Sequence, residues 1–219
     1  ADFTNHELLS YMAAKGRPMI CSTGMSTEQE IVSGIELLQR LGAQYILLHC
    51  NSTYPAPFKD VNLNYLKRLQ ELSDFPVGYS GHERGFQVAV GAVAMGAKVI
   101  EKHLTLDRSM EGNDHKVSLL PDEFAQMVES IRTIELALGT DEQRSVTQGE
   151  LINRETLAKS LVARCPIRRG ETITPSMIEI KSPGKGLPPY RKQELIGTAA
   201  KRDLEEGEFF YSGDLEADV

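Results

Sequence analysis

The chain has 219 residues, of which 41% are hydrophobic and 25% are charged, so it can bury a sizeable core and resembles an ordinary globular protein in composition. No apolar run approaches the length of a membrane span, and the net charge of −7 argues against nucleic acid or an anionic membrane as the main partner. The chain has three cysteines, Cys21, Cys50 and Cys165, which lie within or beside apolar runs. Their odd number and their positions predict free thiols in a reducing cytoplasm.

Residues 1–140 alternate short apolar runs with segments of helical periodicity. We predict strands at 18–21, 45–50, 76–79 and 98–102, and helices at 26–41, 61–72, 86–95 and 121–138. The first helix should begin at a capping box formed by Ser26 and Gln29. Four strand–helix units in a row predict an α/β fold with a parallel sheet and right-handed crossovers.

Four such units are half of a (β/α)8 TIM barrel, and we interpret residues 1–140 as its second half. The alternative is a free-standing doubly wound sheet. That fold usually carries a glycine-rich phosphate turn, and the sequence has none.

The sequence changes character after Gly139. Residues 141–158 are polar and predict a linker, and residues 159–219 lose the helical periodicity in favour of glycines, prolines and short β-type runs. Residues 163–173 and 200–210 match in outline with an offset of 37, which predicts a small β-rich domain with internal pseudo-two-fold symmetry.

Polar side chains follow each of the four predicted strands. They are Ser22 and Thr23 after the first, residues 49–52 after the second, residues 80–83 after the third, and Lys102 with His103 at the fourth. The carboxyl ends of parallel strands meet at one edge of the sheet, where barrel enzymes gather their catalytic groups. The pattern therefore favours an active site over four unrelated loops.

His82 and His103 are the candidate metal ligands. They stand at the ends of neighbouring strands, which lie roughly 4.8 Å apart in a sheet, so two imidazoles there can reach one ion. The alternative is that each is a hydrogen-bonded core histidine, and residue type alone does not decide between the two. His49 lies inside an apolar run, and we interpret it as structural.

Lys102 has two possible roles, as a Schiff-base amine or as a contact to a substrate phosphate or carboxylate. The second is preferred, because a metal ion and a Schiff base would be alternative ways of activating one carbonyl. The hydroxyls of Ser22, Thr23 and Ser80, with the backbone amides of the nearby glycines, are weaker candidates for holding a phosphate.

Five motifs resemble, in order and spacing, the sialic acid synthase (N-acetylneuraminate synthase) family. They are Ser-Thr-Gly-Met at 22–25, His-Cys-Asn-Ser-Thr-Tyr-Pro-Ala-Pro at 49–57, Gly-Tyr-Ser-Gly-His at 78–82, Glu-Lys-His-Leu-Thr-Leu-Asp at 101–107 and Gly-Asn-Asp-His-Lys at 112–116. The tail is similar to that family's antifreeze-protein-like SAF domain, on the strings Lys-Ser-Leu-Val-Ala at 159–163 and Pro-Gly-Lys-Gly-Leu at 183–187.

The resemblance implies the condensation of phosphoenolpyruvate with the open-chain aldehyde of an N-acylated amino sugar, such as N-acetylmannosamine. Phosphate is released, and a nine-carbon 2-keto acid forms. It implies that His82 and His103 bind a divalent metal ion, Mn²⁺ in the first place with Mg²⁺ or Co²⁺ as alternatives. The implied substrate contacts are Ser22 and Ser80 for phosphoenolpyruvate, and Ser52, Tyr54 and the catalytic Asp114 for the sugar.

The resemblance also implies a domain-swapped homodimer, in which the small domain of one subunit covers the partner's barrel and lends it an arginine. Ser182 occupies that arginine's position here, between Lys181 and Lys185, which suggests a different acyl-amino sugar. Legionaminate and pseudaminate synthases share the motifs and remain alternatives. A non-catalytic, sugar-binding domain pair is the alternative of another class.

The sequence begins at what would be the end of the barrel's fourth strand, so we expect it to be a C-terminal portion. The family's phosphate-binding lysines belong to the preceding half. We therefore expect this chain to be inactive by itself.

Overall fold

The computed structural model describes residues 2–215, which form two compact units, one up to residue 140 and one from residue 141. In its described residues the first unit contains four strands and six α-helices, and each strand is followed by at least one α-helix. The strands are β1 (Met19–Ser22), β2 (Tyr45–Cys50), β3 (Val77–Gly81) and β4 (Val99–Lys102). The helices are α1 (His6–Ala13), α2 (Glu28–Arg40), α3 (Phe58–Val61), α4 (Tyr65–Leu72), α5 (Gln87–Ala94) and α6 (Pro121–Leu138).

The strands of the first unit form one parallel sheet in the order β1-β2-β3-β4. Each strand pairs with the next along the chain, as Leu47 does with Val77 and Gly78 with Val99. This confirms the predicted α/β fold and gives the strand order of half a barrel. All carboxyl ends lie at the same edge, so the residues that follow each strand are brought together there.

The core of this unit lies between the sheet and its helices. Leu47 on β2 is fully buried, and so are Leu66 and Leu69 on α4. Tyr45 packs edge-on against Phe75 with ring centroids 4.9 Å apart. Burying large apolar side chains contributes roughly 1.5–3 kcal/mol each, which holds the helices against the sheet and the strand ends in register.

Two local predictions differ from the structure. Helix α2 is capped one residue later than expected, by Thr27 with Glu30, because threonine and glutamate complete both hydrogen bonds of the capping box. The helix predicted at 61–72 is two helices, α3 and α4, because Asn62 between them takes a left-handed conformation with φ 47°.

The second unit begins with helix α7 (Gln148–Leu157), which lies inside the segment predicted as a linker. Thr147 and Glu150 form its capping box, a signal that the polar composition of the segment concealed. The unit continues with β5 (Ser160–Ala163), antiparallel to β6 (Ile178–Lys181), and the short helix α8 (Lys192–Leu195). Its core includes Leu161, Ile167 and Phe210, all fully buried.

The internal repeat of the second unit is visible in its backbone hydrogen bonds. Ile167 and Leu204, which are 37 residues apart, exchange two bonds of 2.8 Å across the centre. Around them, bonds occur in matched pairs under the same offset: Ala163 to Glu208 and Ala200 to Glu171, Gly207 to Ala163 and Gly170 to Ala200, Phe210 to Leu161 and Ile173 to Thr198. The predicted pseudo-two-fold symmetry is therefore confirmed.

Within residues 2–215, none of the helices is both long enough and apolar enough to cross a membrane.

Candidate functional site

The two predicted metal ligands lie side by side at the carboxyl edge of the sheet. His82 directly follows β3 and His103 directly follows β4, and these strands pair at Gly81 and Lys102. The ring centroids of the two histidines are 5.1 Å apart, with the rings edge to face. Tyr54, from the loop after β2, stacks on His82 at 4.2 Å and meets His103 at 5.7 Å.

The backbone of the neighbouring loop fixes the tautomer of His82. Nδ1 of this buried ring lies 2.7 Å from the carbonyl oxygen of Asn51, which can only accept a hydrogen bond. In the neutral ring Nδ1 therefore carries the proton, and Nε2 carries the lone pair that a metal or a donor uses. The Tyr54 hydroxyl lies 3.2 Å from Nε2 and donates to it.

Cys50, at the end of β2, is a member of the site that the sequence reasoning left out. Its Sγ lies 3.6 Å from Nδ1 of His82 and 3.6 Å from Oγ of Ser52. Burial raises the pKa of this thiol, but hydrogen bonds with His82, Ser22 and Ser52 outweigh that effect and lower it to about 7. For His82, burial acts to lower the pKa, but the contacts of the ring with Cys50 and the Asn51 carbonyl outweigh burial. The pKa of His82 is therefore raised above its ordinary value.

Gly24 allows the loops after β1 and β2 to approach each other. A Cβ atom at this position would lie 2.1 Å from Oγ of Ser52 and 2.9 Å from Sγ of Cys50. The loop after β1 and the loop that contains Ser52 therefore approach this closely because residue 24 has no side chain.

Asp114 lies next to His103. Its Oδ2 is 3.9 Å from Nδ1 of His103, and its side chain is 67% exposed, so the carboxylate remains available for another hydrogen bond. His115, beside it, is held through Nδ1 by the hydroxyl of Thr105 at 2.7 Å. Asp114 is thus positioned to contact a ligand bound near the histidine pair.

Ser80 and Glu101 form a second polar pair on the same two strands. The buried Ser80 hydroxyl donates to Oε1 of Glu101 at 2.7 Å. A substrate oxygen that accepted a hydrogen bond from Ser80 would therefore either replace the Glu101 carboxylate as acceptor or share the hydroxyl with it.

Lys102 has a protein partner, which differs from its expected role as a substrate contact. Its Nζ lies 2.8 Å from Oε1 of Glu83, and neither side chain has exposed surface. The other carboxylate oxygen of Glu83 accepts from the Tyr79 hydroxyl at 2.6 Å. Burial lowers the pKa of Lys102, and the Glu83 carboxylate opposes that shift. The pairing of Lys102 with Glu83 was not predicted, because nothing in the sequence shows which way a side chain at a strand end points.

This buried ion pair joins the two histidines through the backbone. Glu83 follows His82, and Lys102 precedes His103. The ion pair thus ties the end of β4 to the loop that follows β3, through residues adjacent in sequence to both histidines.

His49 is structural, as expected. It is buried, and its Nε2 donates to the carbonyl oxygen of Val61 at 2.7 Å. Burial lowers its pKa, so the ring is neutral in the folded protein.

The histidine pair suits a divalent ion in its donor chemistry. Imidazole nitrogens are ordinary ligands for first-row divalent metals, and the His82 lone pair is oriented by a backbone carbonyl in the way that metal-ligating histidines usually are. Within residues 2–215, no group of three or more His, Cys, Asp or Glu side chains has the arrangement of a metal site. An ion at this pair would therefore take its remaining ligands from water or substrate.

In the second unit, Ser182 is engaged locally. Its hydroxyl lies 2.8 Å from Nζ of Lys159 and donates to the Leu157 carbonyl at 3.3 Å. Lys181 pairs with Glu179 at 2.8 Å. Of the two lysines that flank Ser182, Lys185 therefore has the freer ammonium group among the described residues.

The first unit is a parallel half-barrel with a polar carboxyl edge, and the second is a small pseudo-symmetric domain. Residues 1–143 match the NeuB family, and residues 158–216 match the SAF domain. The chain belongs to the NeuB family.

Relatives of known name support this assignment. The chain is 39% identical to human N-acetylneuraminate-9-phosphate synthase, over 94% of this chain and 57% of that protein. It is also 39% identical to N,N'-diacetyllegionaminic acid synthase of Campylobacter jejuni, over 94% of this chain and 63% of that protein. The chain thus spans less than two thirds of the length of these relatives.

Solved structures agree with the fold. The N-acetylneuraminic acid synthetase of Leptospira borgpetersenii, in complex with citrate, superposes with a TM-score of 0.64 at 35% identity, over 71% of this chain and 55% of that one. Spore coat polysaccharide biosynthesis protein SpsE of Bacillus subtilis gives a TM-score of 0.60 at 28% identity, over 100% of this chain and 66% of that one.

Proposed function

We propose that this chain carries the metal-binding and sugar-binding half of a synthase that condenses phosphoenolpyruvate with an N-acylated amino sugar. The observation that supports this most directly is the His82–His103 pair, with ring centroids 5.1 Å apart beside Tyr54 at the carboxyl edge of the sheet. The names of the relatives, which are synthases of N-acetylneuraminate 9-phosphate, diacetyllegionaminate and pseudaminate, point to the same class of reaction.

In this reaction C3 of phosphoenolpyruvate forms a bond to the aldehyde carbon of the sugar, and negative charge develops on the aldehyde oxygen. A divalent ion held by His82 and His103, Mn²⁺ in this proposal, supplies Lewis-acid stabilisation of that charge when it is bound. Mg²⁺ and Co²⁺ are the alternatives.

The remaining groups bind and orient the two substrates. In this proposal the hydroxyls of Ser22 and Ser80 bind the anionic substrate, which Ser80 would contact in addition to or instead of Glu101. The exposed carboxylate of Asp114 accepts from a sugar hydroxyl beside His103. The ring of Tyr54 covers the imidazoles and helps to exclude water, which strengthens electrostatic interactions in the site. Ser52, against Cys50, completes the wall on the side of β2.

Which amino sugar is accepted distinguishes an N-acetylneuraminate synthase from a legionaminate or pseudaminate synthase, and the relatives include all three. We further propose that the protein acts in the cytoplasm as a homodimer that exchanges its SAF domains. Support for the location comes from Cys21, Cys50 and Cys165, which are all free thiols.

The experiment separates metal binding from catalysis. Mn²⁺ is titrated into the chain and free Mn²⁺ is followed by electron paramagnetic resonance, for the parent, His82→Ala, His103→Ala and the control His6→Ala. His6 is an exposed histidine at the start of α1. Loss of a ligand should weaken Mn²⁺ binding by about tenfold or more, whereas the control should match the parent.

Catalysis is then measured as phosphate release from phosphoenolpyruvate with N-acetylmannosamine and Mn²⁺, with the preceding barrel half supplied by fusion. Both histidine variants should lose turnover, and the control should keep it. Equal Mn²⁺ affinity and turnover in the parent and His82→Ala would contradict the assignment.

A further inference from the structure

The first unit contains a cavity whose lining includes neither His82 nor His103. It has a volume of about 510 Å³ and is lined by residues that follow β3 and β4 and by the first turn of α6. Its charged residues are Arg84, Arg108, Lys116 and Glu123. None of the residues assigned above to metal, phosphoenolpyruvate or sugar lines it.

The lining carries three cations and one carboxylate, in a chain whose net charge is −7. The single carboxylate is already engaged. Oε2 of Glu123 accepts from the backbone amide of Leu120 and pairs with Nη2 of Arg108. The lining therefore carries an excess of two positive charges, which favours the approach of an anion.

Arg108 is held ready for a ligand. Its Nε donates to the carbonyl oxygen of Ser118 at 3.0 Å while Nη2 is held by Glu123. Among the described residues these are its only acceptors, so the Nη1 side of the guanidinium is left for another anion. A guanidinium whose rotamer is already fixed loses little entropy on binding an oxyanion.

Arg84 and Lys116 complete the cluster from the loops after β3 and β4. Within residues 2–215 neither side chain lies within 4.0 Å of a carboxylate oxygen. Both are exposed, so they can reach a ligand without breaking an existing interaction. Arginine forks and a lysine ammonium together are the donors that recognise phosphate oxygens.

The position in the fold is also one where phosphate binds. β3 and β4 are the last two of the four strands, which makes them strands seven and eight of the barrel whose second half they represent. Loops after the seventh and eighth strands frequently form the phosphate site of (β/α)8 barrels.

We propose that Arg84, Arg108 and Lys116 form a phosphate-binding site that is separate from the histidine pair and takes either inorganic phosphate or a sugar phosphate monoester. The site rests on the cavity and its charge, and it stands whether or not the condensation proposed above is correct.

The test is calorimetric titration of the full 219-residue chain, in metal-free buffer, with inorganic phosphate, N-acetylmannosamine 6-phosphate and unphosphorylated N-acetylmannosamine. The test variant is the double substitution Arg84→Ala/Lys116→Ala. The control is Arg40→Ala/Lys67→Ala, which removes the same charge from two exposed positions outside the cavity.

The parent and the control should bind a phosphate ligand with the same affinity, and the test variant should bind it about tenfold more weakly or worse. Equal affinity for both phosphate ligands identifies free phosphate as the occupant, and tighter binding of the sugar phosphate identifies the monoester. The proposal is overturned if the parent binds neither phosphate ligand, or if both double variants weaken phosphate binding equally. Thermal melts that match the parent show that the substitutions left the fold intact.

Discussion

Breaking the buried Lys102–Glu83 ion pair is predicted to destabilise the first unit strongly. The perturbation is Lys102→Met, which keeps most of the side-chain volume and removes the ammonium. Glu83 then becomes a fully buried carboxylate whose remaining hydrogen bond is the 2.6 Å bond from Tyr79. An uncompensated buried charge is the costly outcome, since the attraction is lost while the desolvation remains.

The magnitude follows from the geometry. At the 2.8 Å separation of Nζ and Oε1, Coulomb's law with an effective dielectric constant of about 20 gives an attraction of about 6 kcal/mol. Desolvation of the two groups offsets much of this in the intact pair. Removing one partner of a buried pair typically costs about 3–5 kcal/mol, against a total stability of about 5–15 kcal/mol for a domain.

The assay is urea unfolding followed by far-ultraviolet circular dichroism, which reports mainly on the helices of the first unit. With a denaturant slope of about 2 kcal/mol per molar, the midpoint should fall by about 2 M. The double variant Lys102→Met/Glu83→Gln should recover about 2 kcal/mol or more, because the amide is neutral and its oxygen still accepts from Tyr79.

A surface ion pair is the control. Arg132 and Glu135 lie 2.7 Å apart with side chains 69% and 47% exposed, and Arg132→Met should cost less than about 1 kcal/mol. The reasoning is refuted if Lys102→Met and Arg132→Met shift the midpoint equally, or if the double variant is no more stable than Lys102→Met.

Two further predictions concern stability. Burial lowers the pKa of His49 in the folded protein below its ordinary value of 6.5, so the unfolded chain binds a proton at this ring more readily than the folded chain does. The free energy of unfolding is therefore highest above pH 6.5 and decreases as the pH falls below 6.5. His49→Gln keeps a hydrogen-bond donor for the Val61 carbonyl but has no titratable group. When urea unfolding is measured at a series of pH values, the midpoint should fall less steeply with decreasing pH for this variant than for the parent. Equal pH dependence of the two midpoints would contradict the prediction. Gly170 and Gly207 both have positive φ, 85° and 84°, with open space where a Cβ would lie, so Gly170→Ala and Gly207→Ala should each cost about 1–2 kcal/mol in thermal unfolding. If the losses of stability in Gly170→Ala and Gly207→Ala differ by as much as one of those losses, the two turns are not equivalent and the prediction is wrong.

The sequence predicts the sheet well because its strands are buried runs bounded by clear punctuation. β2 is recovered at both ends, since Tyr45–Cys50 is apolar almost throughout and lies between Gly42 and a proline-rich loop. Helix α1 was not predicted, although Asn5 caps it, because it is only eight residues long. Short helices gain little from propensity and depend on packing that a sequence does not display.

The site is predicted in part for a related reason. Strand-end position suffices to bring His82 and His103 together, since neighbouring parallel strands end at the same edge. The position of a residue at a strand end does not indicate which polar side chains turn inward and pair with one another. Lys102 was therefore expected to contact the substrate, whereas in the structure it pairs with Glu83. Cys50 was missed because a lone cysteine in an apolar run gives no sign of its neighbours.

The paired hydrogen bonds of the second unit have a consequence for how it folds. In a solenoid each repeat contacts only its neighbours and can add to the array one unit at a time. Here each copy of the repeat supplies the partners for the other copy, as Ile167 and Leu204 do for each other. If only one copy were folded, its backbone amides would lack acceptors and its carbonyls would lack donors. Neither copy is therefore stable until both have folded. The duplicated sequence thus yields a single cooperative element whose contacts are mostly distant in the chain, and such elements form slowly compared with helices of the same length.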